Sequence, residues 1–517
     1  MRATGPKSWS TIFGVLLLVI GLLLLPSNAS TKEQKGDVVV AIGAGTFNQK
    51  GGDPATQTGG TPFVAQTIFD SLIYEDLNRK QVPALAKSWK IEAGWKYIDF
   101  DLRGDVKFQD GTAFSAEDVK YSLETYLDRR NRYLFQRLWS RQINNVQVID
   151  PHHVRVNMNT PDPGFLTRLW WGTGIFPKAY REKVGSEGFA DRPIGAGPFK
   201  WVEYKQDVFW KAEAVKNHYR HTPEIKTLKM MYVPEQSTRL AMLQAGEVDI
   251  ASVIGPQLAV IQADPSLRLV WAKYNMLMSL IFADLVFPNE PSPFHDIRVR
   301  KAVSLAIDRK TICEKILMGT AEPYGDFCSP ITKGYDPGIK PDPYDPETAK
   351  KLLAEAGYAK GFETQVHIPP SEKYWVEALV ANLSDVGINV KIDMMEIGAW
   401  LTAFTSKKMR GLTGKPLWFS AEPHPSADAS DDFLDYMPWA YTTTPEIHQA
   451  VIDGQMAISE PDMVKAGRKI SRLIRESRVR ALLWAIHSPY GVGKKIKYWQ
   501  PQVGAEPGTG FEFITLN

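Results

Sequence analysis

The stretch "VKFQDGTAFSAEDV", residues 106–119, sets three carboxylates close together: Asp110, Glu117 and Asp118. Such a group is either acid–base chemistry or the hardware of a fold. Asp110-Gly111 is a turn pair, because Gly tolerates the positive φ that tight turns require. Ser115 stands before a predicted helix with Asp118 three residues on, the pattern of a capping box. Glu117 and Asp118 then fall in the first helical turn, where the helix dipole favours negative charge by about 0.3–1 kcal/mol. Each acid has a structural task, so the stretch reads as strand end, turn and helix start. Val106 and Phe108 are expected to continue the sheet.

Upstream, "KYIDFDLR" (residues 96–103) alternates, with Ile98, Phe100 and Leu102 on one side and Tyr97, Asp99, Asp101 and Arg103 on the other. That is a half-buried strand. "DVVVAIGAG" (37–45) is a β-branched run ending in glycines, a buried strand feeding a loop. "GGDPATQTGGTP" is loop by composition, and residues 63–72 carry a helical apolar spacing. Downstream, "DPETAKKLLAEAGY" is a helix with Asp345 as N-cap, Pro346 at its first position and Gly357 as its stop. A further helix over about 372–386 halts at Gly387 and passes into the strand "INVKIDM". "DIRVRKAVSLAIDRKTICEKILMG" reads as two helices, the second capped by Asp308 and ended by Gly319. Strands alternating with helices in both halves predict α/β lobes.

The chain begins "MRATGPKSWSTIFGVLLLVIGLLLLPSNAS". Arg2 and Lys7, an apolar run over 12–25 and the Ser27-Asn28-Ala29 site have the three-part form of a secretory signal, residues 1–29. A spanning anchor is the rival, but the run is short of the roughly 20 residues that role needs. With no Cys near the junction, no direct membrane anchor is expected. Removing 1–29 deletes two basic and no acidic residues, so the formal charge falls from +3 to +1. A near-neutral surface argues against nucleic acid as a partner. The two cysteines, Cys313 and Cys328, suit an exported protein as a disulfide or as two independent thiols. About 490 residues remain, enough for two or three lobes. The Pro-rich run "KGYDPGIKPDPYDPE" (333–347) is the nearest thing to a linker.

Five ordered stretches carry a family resemblance: "VPALAKSWKIEAGWKYIDFDLRGDVKFQDGTAFSAEDV" (82–119), "RPIGAGPFKWVEY" (192–204), "TRLAMLQAGEVDIA" (238–251), "PFHDIRVRKAVSLAIDRKTI" (293–312) and "YDPETAKKLLAEAGY" (344–358). Together they resemble the family 5 extracellular solute-binding proteins, periplasmic receptors of dipeptide, oligopeptide and related ABC importers. The resemblance implies a two-lobed α/β periplasmic binding protein fold with an extra subdomain inserted in lobe I and a cleft between the lobes. Lobe I would take 37–72, 192–275 and 485–517, the inserted subdomain 73–191, and lobe II 276–484.

It also implies a site. Peptide-binding members carry Trp-x-x-Asp in the second lobe, the Asp holding the peptide ammonium. Here "LWFSAEPHPSADASDD" sets Trp418 at the Trp position but Ala421 at that of the Asp, with Glu422 next to it. The candidate ligand residues are Trp418, Phe419, Ser420, Ala421 and Glu422, with Gly45, Thr46 and Phe47 of "GAGTFN" after the first strand. Trp418 as core packing and the glycines as turn geometry are the plainer alternatives. Trp170-Trp171 and Trp400 are weaker candidates, since most aromatics are structural.

Enzyme motifs are absent: no G-x-S-x-G, no H-E-x-x-H, no glycine loop followed by Lys-Ser/Thr. "GAGTFN" lacks the last glycine of a dinucleotide fingerprint. His152-His153 enters a strand, where neighbouring side chains point apart and suit one metal poorly. Asp431-Asp432 reads as a solvated loop or helix start. The expectation is a periplasmic receptor, a monomer without cofactor. It would capture a small solute, a di- or oligopeptide by default, and deliver it to the transmembrane and ATPase subunits of an ABC permease. An oligosaccharide, an opine-like conjugate or a metal chelate is the alternative solute.

Overall fold

The computed structural model describes residues 34–43, 52–56, 66–131, 136–417, 424–435, 437, 439–503 and 509–517. Two strands organise it. Leu267–Phe282 and Arg480–Gly493 run antiparallel through the middle of an eleven-stranded sheet. Beside Arg480–Gly493 lie Ile250–Ser252, Lys35–Ile42, Ile225–Tyr232, Phe209–Ala214 and Phe199–Lys205. Beside Leu267–Phe282 lie Leu412–Leu417, Phe362–Ile368 and Ile388–Met394. Each side contains a parallel set, Lys35–Ile42 with Ile225–Tyr232 and Ile250–Ser252, and Phe362–Ile368 with Ile388–Met394 and Leu412–Leu417. Parallel strands need helical crossovers, and these follow as expected. Pro346–Glu355 starts at Asp345, whose Oδ1 accepts from Thr348 N at 2.9 Å, and Gly357 beyond it has φ +91°.

The long strands pass from one core to another. Val270, Ala272, Tyr490 and Val492 belong to an apolar core with Val38, Val40, Phe100 and Leu228. Met278, Leu280, Phe282, Ala481 and Leu483 belong to a second core with Val303, Leu379 and Leu412. A third cluster, with Phe327, Phe433, Ile447 and Ile470, takes Leu277 and Ala485 from the same strands. Between the cores the pairing slips, from Ala272 opposite Ser488 to Met276 opposite Ile486. There Tyr274 has φ +54°, a left-handed conformation uncommon for a non-Gly residue, and its amide donates to His487 Nδ1 at 3.0 Å.

A separate antiparallel sheet of Ala86–Ile91, Tyr97–Leu102, His153–Met158 and Ile143–Asp150 shares the first core. The opening stretch docks it. Asp110 Oδ1 accepts from Thr112 N at 2.9 Å and from its hydroxyl at 2.6 Å, with Gly111 at φ +89°. Ser115 and Asp118 form the capping box of Ala116–Leu127, and Asp118 Oδ1 also accepts from Lys178 N at 2.9 Å. Gln109 Nε2 donates to the carbonyls of Ile68 (2.9 Å) and Phe199 (2.8 Å), while Gly195 N donates to its Oε1 at 3.2 Å.

Three expectations change, and one left open is decided. Val106 and Phe108 are buried but do not extend the strand, which ends at Leu102. The turn folds the segment back on itself, leaving one bridge between Lys107 and Ala113. The helix predicted after Asp308 is a short α turn, Arg309–Thr311, that widens into a π turn at Ile312–Ile316. The Pro-rich run 333–347 is packed, not a linker. A Cβ on Gly334 would stand 2.7 Å from Gly467 Cα, and Asp342 accepts from the Ser304 hydroxyl at 2.6 Å. Cys313 and Cys328 form no disulfide. Cys313 sits in the second core with Ile312 and Leu317, whereas Cys328 Sγ lies 3.5 Å from the Ser471 hydroxyl. The two thiols are held by different packing.

Candidate functional site

Ligands of open α/β sheets bind outside the carboxyl ends of parallel strands. On the first-core side those ends are tied together by Arg239 of the helix Gln236–Ala245. Its Nη1 donates to the carbonyls of Val233 (2.6 Å) and Pro234 (2.9 Å), and its Nε to that of Ser252 at 2.9 Å. Gly43 N donates to the Ser252 hydroxyl at 3.2 Å. Gly43 is required because a Cβ there would fall 2.1 Å from Arg239 Nη1. One guanidinium thus fixes the point where the first strand releases its loop.

On the other side, Lys415 lies on the strand Leu412–Leu417, and Asp432 on the helix Pro425–Phe433. Lys415 is ion-paired with Asp432 and donates to the Trp439 carbonyl at 2.9 Å. Arg480 Nη1 meets the other Asp432 oxygen at 2.6 Å and lies 4.4 Å from the Phe433 ring centroid. All three charges are buried, and burial pushes Arg480 down to about 9. Asp432 is therefore not the solvated acid expected from sequence. It is the shared counter-ion of two buried bases, without which their desolvation would be uncompensated.

Its neighbour differs. Asp431 has no hydrogen-bond or ion-pair partner among the described residues, and its side chain lines a small cavity. Burial pushes its carboxyl up to about 6, against the pull of Arg168 and Lys415. Across the cavity stand Gln142, Asp162 and Arg168, all from segments flanking the four-stranded sheet. Arg168 is paired with Asp162 inside the protein. Beside Asp431, Gln455 Nε2 donates to the Ser430 hydroxyl at 2.9 Å.

Gly45, Thr46, Phe47, Trp418, Phe419, Ser420, Ala421 and Glu422 lie outside the described residues. The weaker candidates are structural where they are described. Trp170 is buried 5.0 Å from the Arg79 guanidinium, and Trp400 Nε1 donates to the His367 carbonyl at 3.3 Å. Trp171 is half-buried against the first core. His153 pairs with Asp150 (2.7 Å) and Asp101 (3.2 Å) on the surface. Among the described residues no cluster of His, Cys, Asp or Glu could hold a metal ion, and no helix is long and apolar enough to cross a membrane.

Sequence reasoning missed Arg239, Lys415, Arg480 and the Asp162–Arg168 pair. A signal existed for two of them. Lys415 in "LTGKPL" and Arg480 in "VRALLWA" interrupt strands otherwise destined for the interior, and a charge there needs a partner.

Two α/β halves joined by a pair of crossing strands, with strand ends on both sides, define a two-lobed binding protein. The profile described as "Bacterial extracellular solute-binding proteins, family 5 Middle" matches residues 80–427, and the chain belongs to that family. Its members are binding proteins, solute receptors that work with the permease and ATPase subunits of ABC importers. The chain is 31% identical over 372 residues to the heme-binding protein A of Haemophilus influenzae, covering 65% of this chain and 67% of that one. It is 26% identical over 464 residues to the dipeptide-binding protein of Escherichia coli, covering 82% and 85%. The structure of NikA from Brucella suis in complex with Fe(III)-EDTA superposes with a TM-score of 0.81 at 21% identity, covering 93% of this chain and 100% of that one.

Proposed function

We propose that this receptor is periplasmic, exported by a cleaved signal over residues 1–29, monomeric and without catalytic activity, and that its solute is a di- or oligopeptide. Lobe I is read as 37–72, 192–275 and 485–517, with 73–191 inserted, and lobe II as 276–484. The observation that carries the mechanism is the pair of crossing strands. They leave the first core after Ala272 and enter the others at Leu277, and the slipped pairing around Tyr274 lies in that interval. We read this interval as the hinge, so solute held at one set of strand ends favours the form in which the other set closes over it. The closed pair of lobes is what a permease would recognise.

The peptide reading draws on the E. coli dipeptide-binding relative, which is aligned over most of both chains. The heme-binding relative keeps a non-peptide solute as the second reading. A thermal-shift screen of free-amine peptides, sugars, opines and metal chelates separates them. Solute at 100 times its Kd stabilises the protein by about 2.7 kcal/mol, a clear rise in Tm. A rise with chelates, opines or sugars and none with peptides would replace the peptide assignment.

A further inference from the structure

Where the long strands pass between the cores, a side chain stands in for the ladder. Ala272 lies opposite Ser488 and Met276 opposite Ile486, so residues 273–275 face His487 alone. Extra residues of this kind are left without their usual strand partners. The Tyr274 amide, held at φ +54°, donates instead to His487 Nδ1 at 3.0 Å. The His487 amide turns the other way, to the Thr320 carbonyl at 2.8 Å, ahead of the short strand Ala321–Pro323. His487 thereby joins both long strands to a third.

An acceptor role at Nδ1 fixes the tautomer, so the neutral ring carries its proton on Nε2. Nε2 faces Glu322 Oε2 of the short strand at 3.7 Å. Lys273 and Tyr274 approach from the long strand, the Tyr274 ring edge-on with 5.2 Å between centroids. Burial and Glu322 push the Tyr274 hydroxyl up to about 12, so it stays protonated. Burial opposes a charge on the imidazole and Lys273 adds to that, while Glu322 favours one. Burial prevails and leaves His487 below its ordinary value. A proton added at Nδ1 would meet the Tyr274 N–H head-on, and the amide would lose its acceptor.

We propose that His487 is the pin of the hinge and that protonation withdraws it: a bare Nδ1 locks the strands across the pairing slip, and a protonated Nδ1 releases the Tyr274 amide. The inference rests on the reading of this interval as the hinge and deepens it, because closure, and with it solute affinity, then responds to acid. The sign follows from linkage. A base held below its ordinary value stabilises the pinned form above about pH 6.5, and that contribution is lost as pH falls.

Spin labels at Lys205→Cys and Lys391→Cys test this in the solute-free receptor. Both residues are exposed, and their strands close the eleven-stranded sheet at opposite ends, so the distance between them reads the hinge. The two native thiols are buried. With His487 present, the dominant distance seen at about pH 8 should be lost at about pH 5. His487→Asn keeps an acceptor near the Nδ1 position but does not titrate, so its distance should stay in the pH 8 form throughout. His487→Phe has no acceptor and should show the acid form at every pH. Circular dichroism melting checks that each variant is folded, and the Asn variant decides alone if the Phe variant does not fold. Equal pH responses with His487 and with His487→Asn would overturn the pin. A distance that changes with His487→Phe but not with pH would keep the hinge and overturn its control by protons. A distance that responds to neither would overturn the hinge and the pin together.

Discussion

Asp70 and Asp431 are both carboxylates withdrawn from solvent, and they meet opposite fates. Around Asp70, Arg220 Nη2 stands at 2.9 Å and His218 Nε2 at 3.1 Å, while the same guanidinium reaches Glu512 at 3.2 Å. Burial alone would raise the Asp70 carboxyl, but Arg220 and His218 overcome it and hold the group well below the usual range. Around Asp431 no base among the described residues touches the carboxylate, and burial outweighs the pull of Arg168 and Lys415. A buried acid with its base beside it joins distant segments of the fold. One that faces a cavity with no base in contact holds its proton to higher pH. Asp432, one residue on and gripped by Lys415 and Arg480, shows that the environment decides this rather than position in the chain.

The comparison is broken most forcefully at the paired sites. Arg220→Met leaves Glu512 without its base and Asp70 with His218 alone, and Asp432→Ala leaves Lys415 and Arg480 without their acid. Each should cost about 3–5 kcal/mol in urea unfolding. Losses below about 1 kcal/mol would mean these pairs hold nothing together. Gly43→Ala should come next. Its methyl displaces the Arg239 guanidinium from its carbonyls, at about 1–3 kcal/mol, and should weaken solute binding as well as stability.

A smaller effect appears with pH. His424 donates from Nε2 to the Ala457 carbonyl at 2.8 Å and accepts from Ser426 N at its Nδ1, so it is neutral, and burial pushes it down to about 4. A depressed base penalises protonation in the folded state, so its contribution is lost as pH falls from about 6.5 toward 4. Asp431 acts the other way. Its carboxyl is raised to about 6, so ligand-free stability is lost as pH rises from about 4 through 6. The Tm of Asp431→Asn relative to wild type should therefore increase across that window. A flat difference would place a base on Asp431 after all. Smallest is Ser115→Ala, which removes one helix cap at about 1 kcal/mol and should leave solute affinity alone.

Much of the scaffold was legible because its rules are short-ranged. The alternation of Ile98, Phe100 and Leu102, the Ser115–Asp118 box and the Asp345–Gly357 helix signals all act within a few residues. The failures have the same physical root. Local rules predict the turn at Asp110-Gly111 but also continue Val106 and Phe108 into the sheet, because the pull of Gln109 on Ile68 and Phe199 is a long-range fact. Asp431-Asp432 reads as a solvated loop or helix start because two acids in a row look polar whatever stands opposite.

What the sequence by itself determined is the fold class, the family and the local turns and caps. Each follows from periodicity, from φ preferences or from ordered motifs that need no knowledge of distant neighbours. Only the tertiary structure decided which charges are spent and which are kept. Burial strips water from every buried ion alike, and whether a base then stands at 3 Å depends on which strands and helices the fold brings together. Lys415 and Arg480 close on Asp432, whereas Arg168 and Lys415 act on Asp431 only from a distance, each paired with another acid among the described residues.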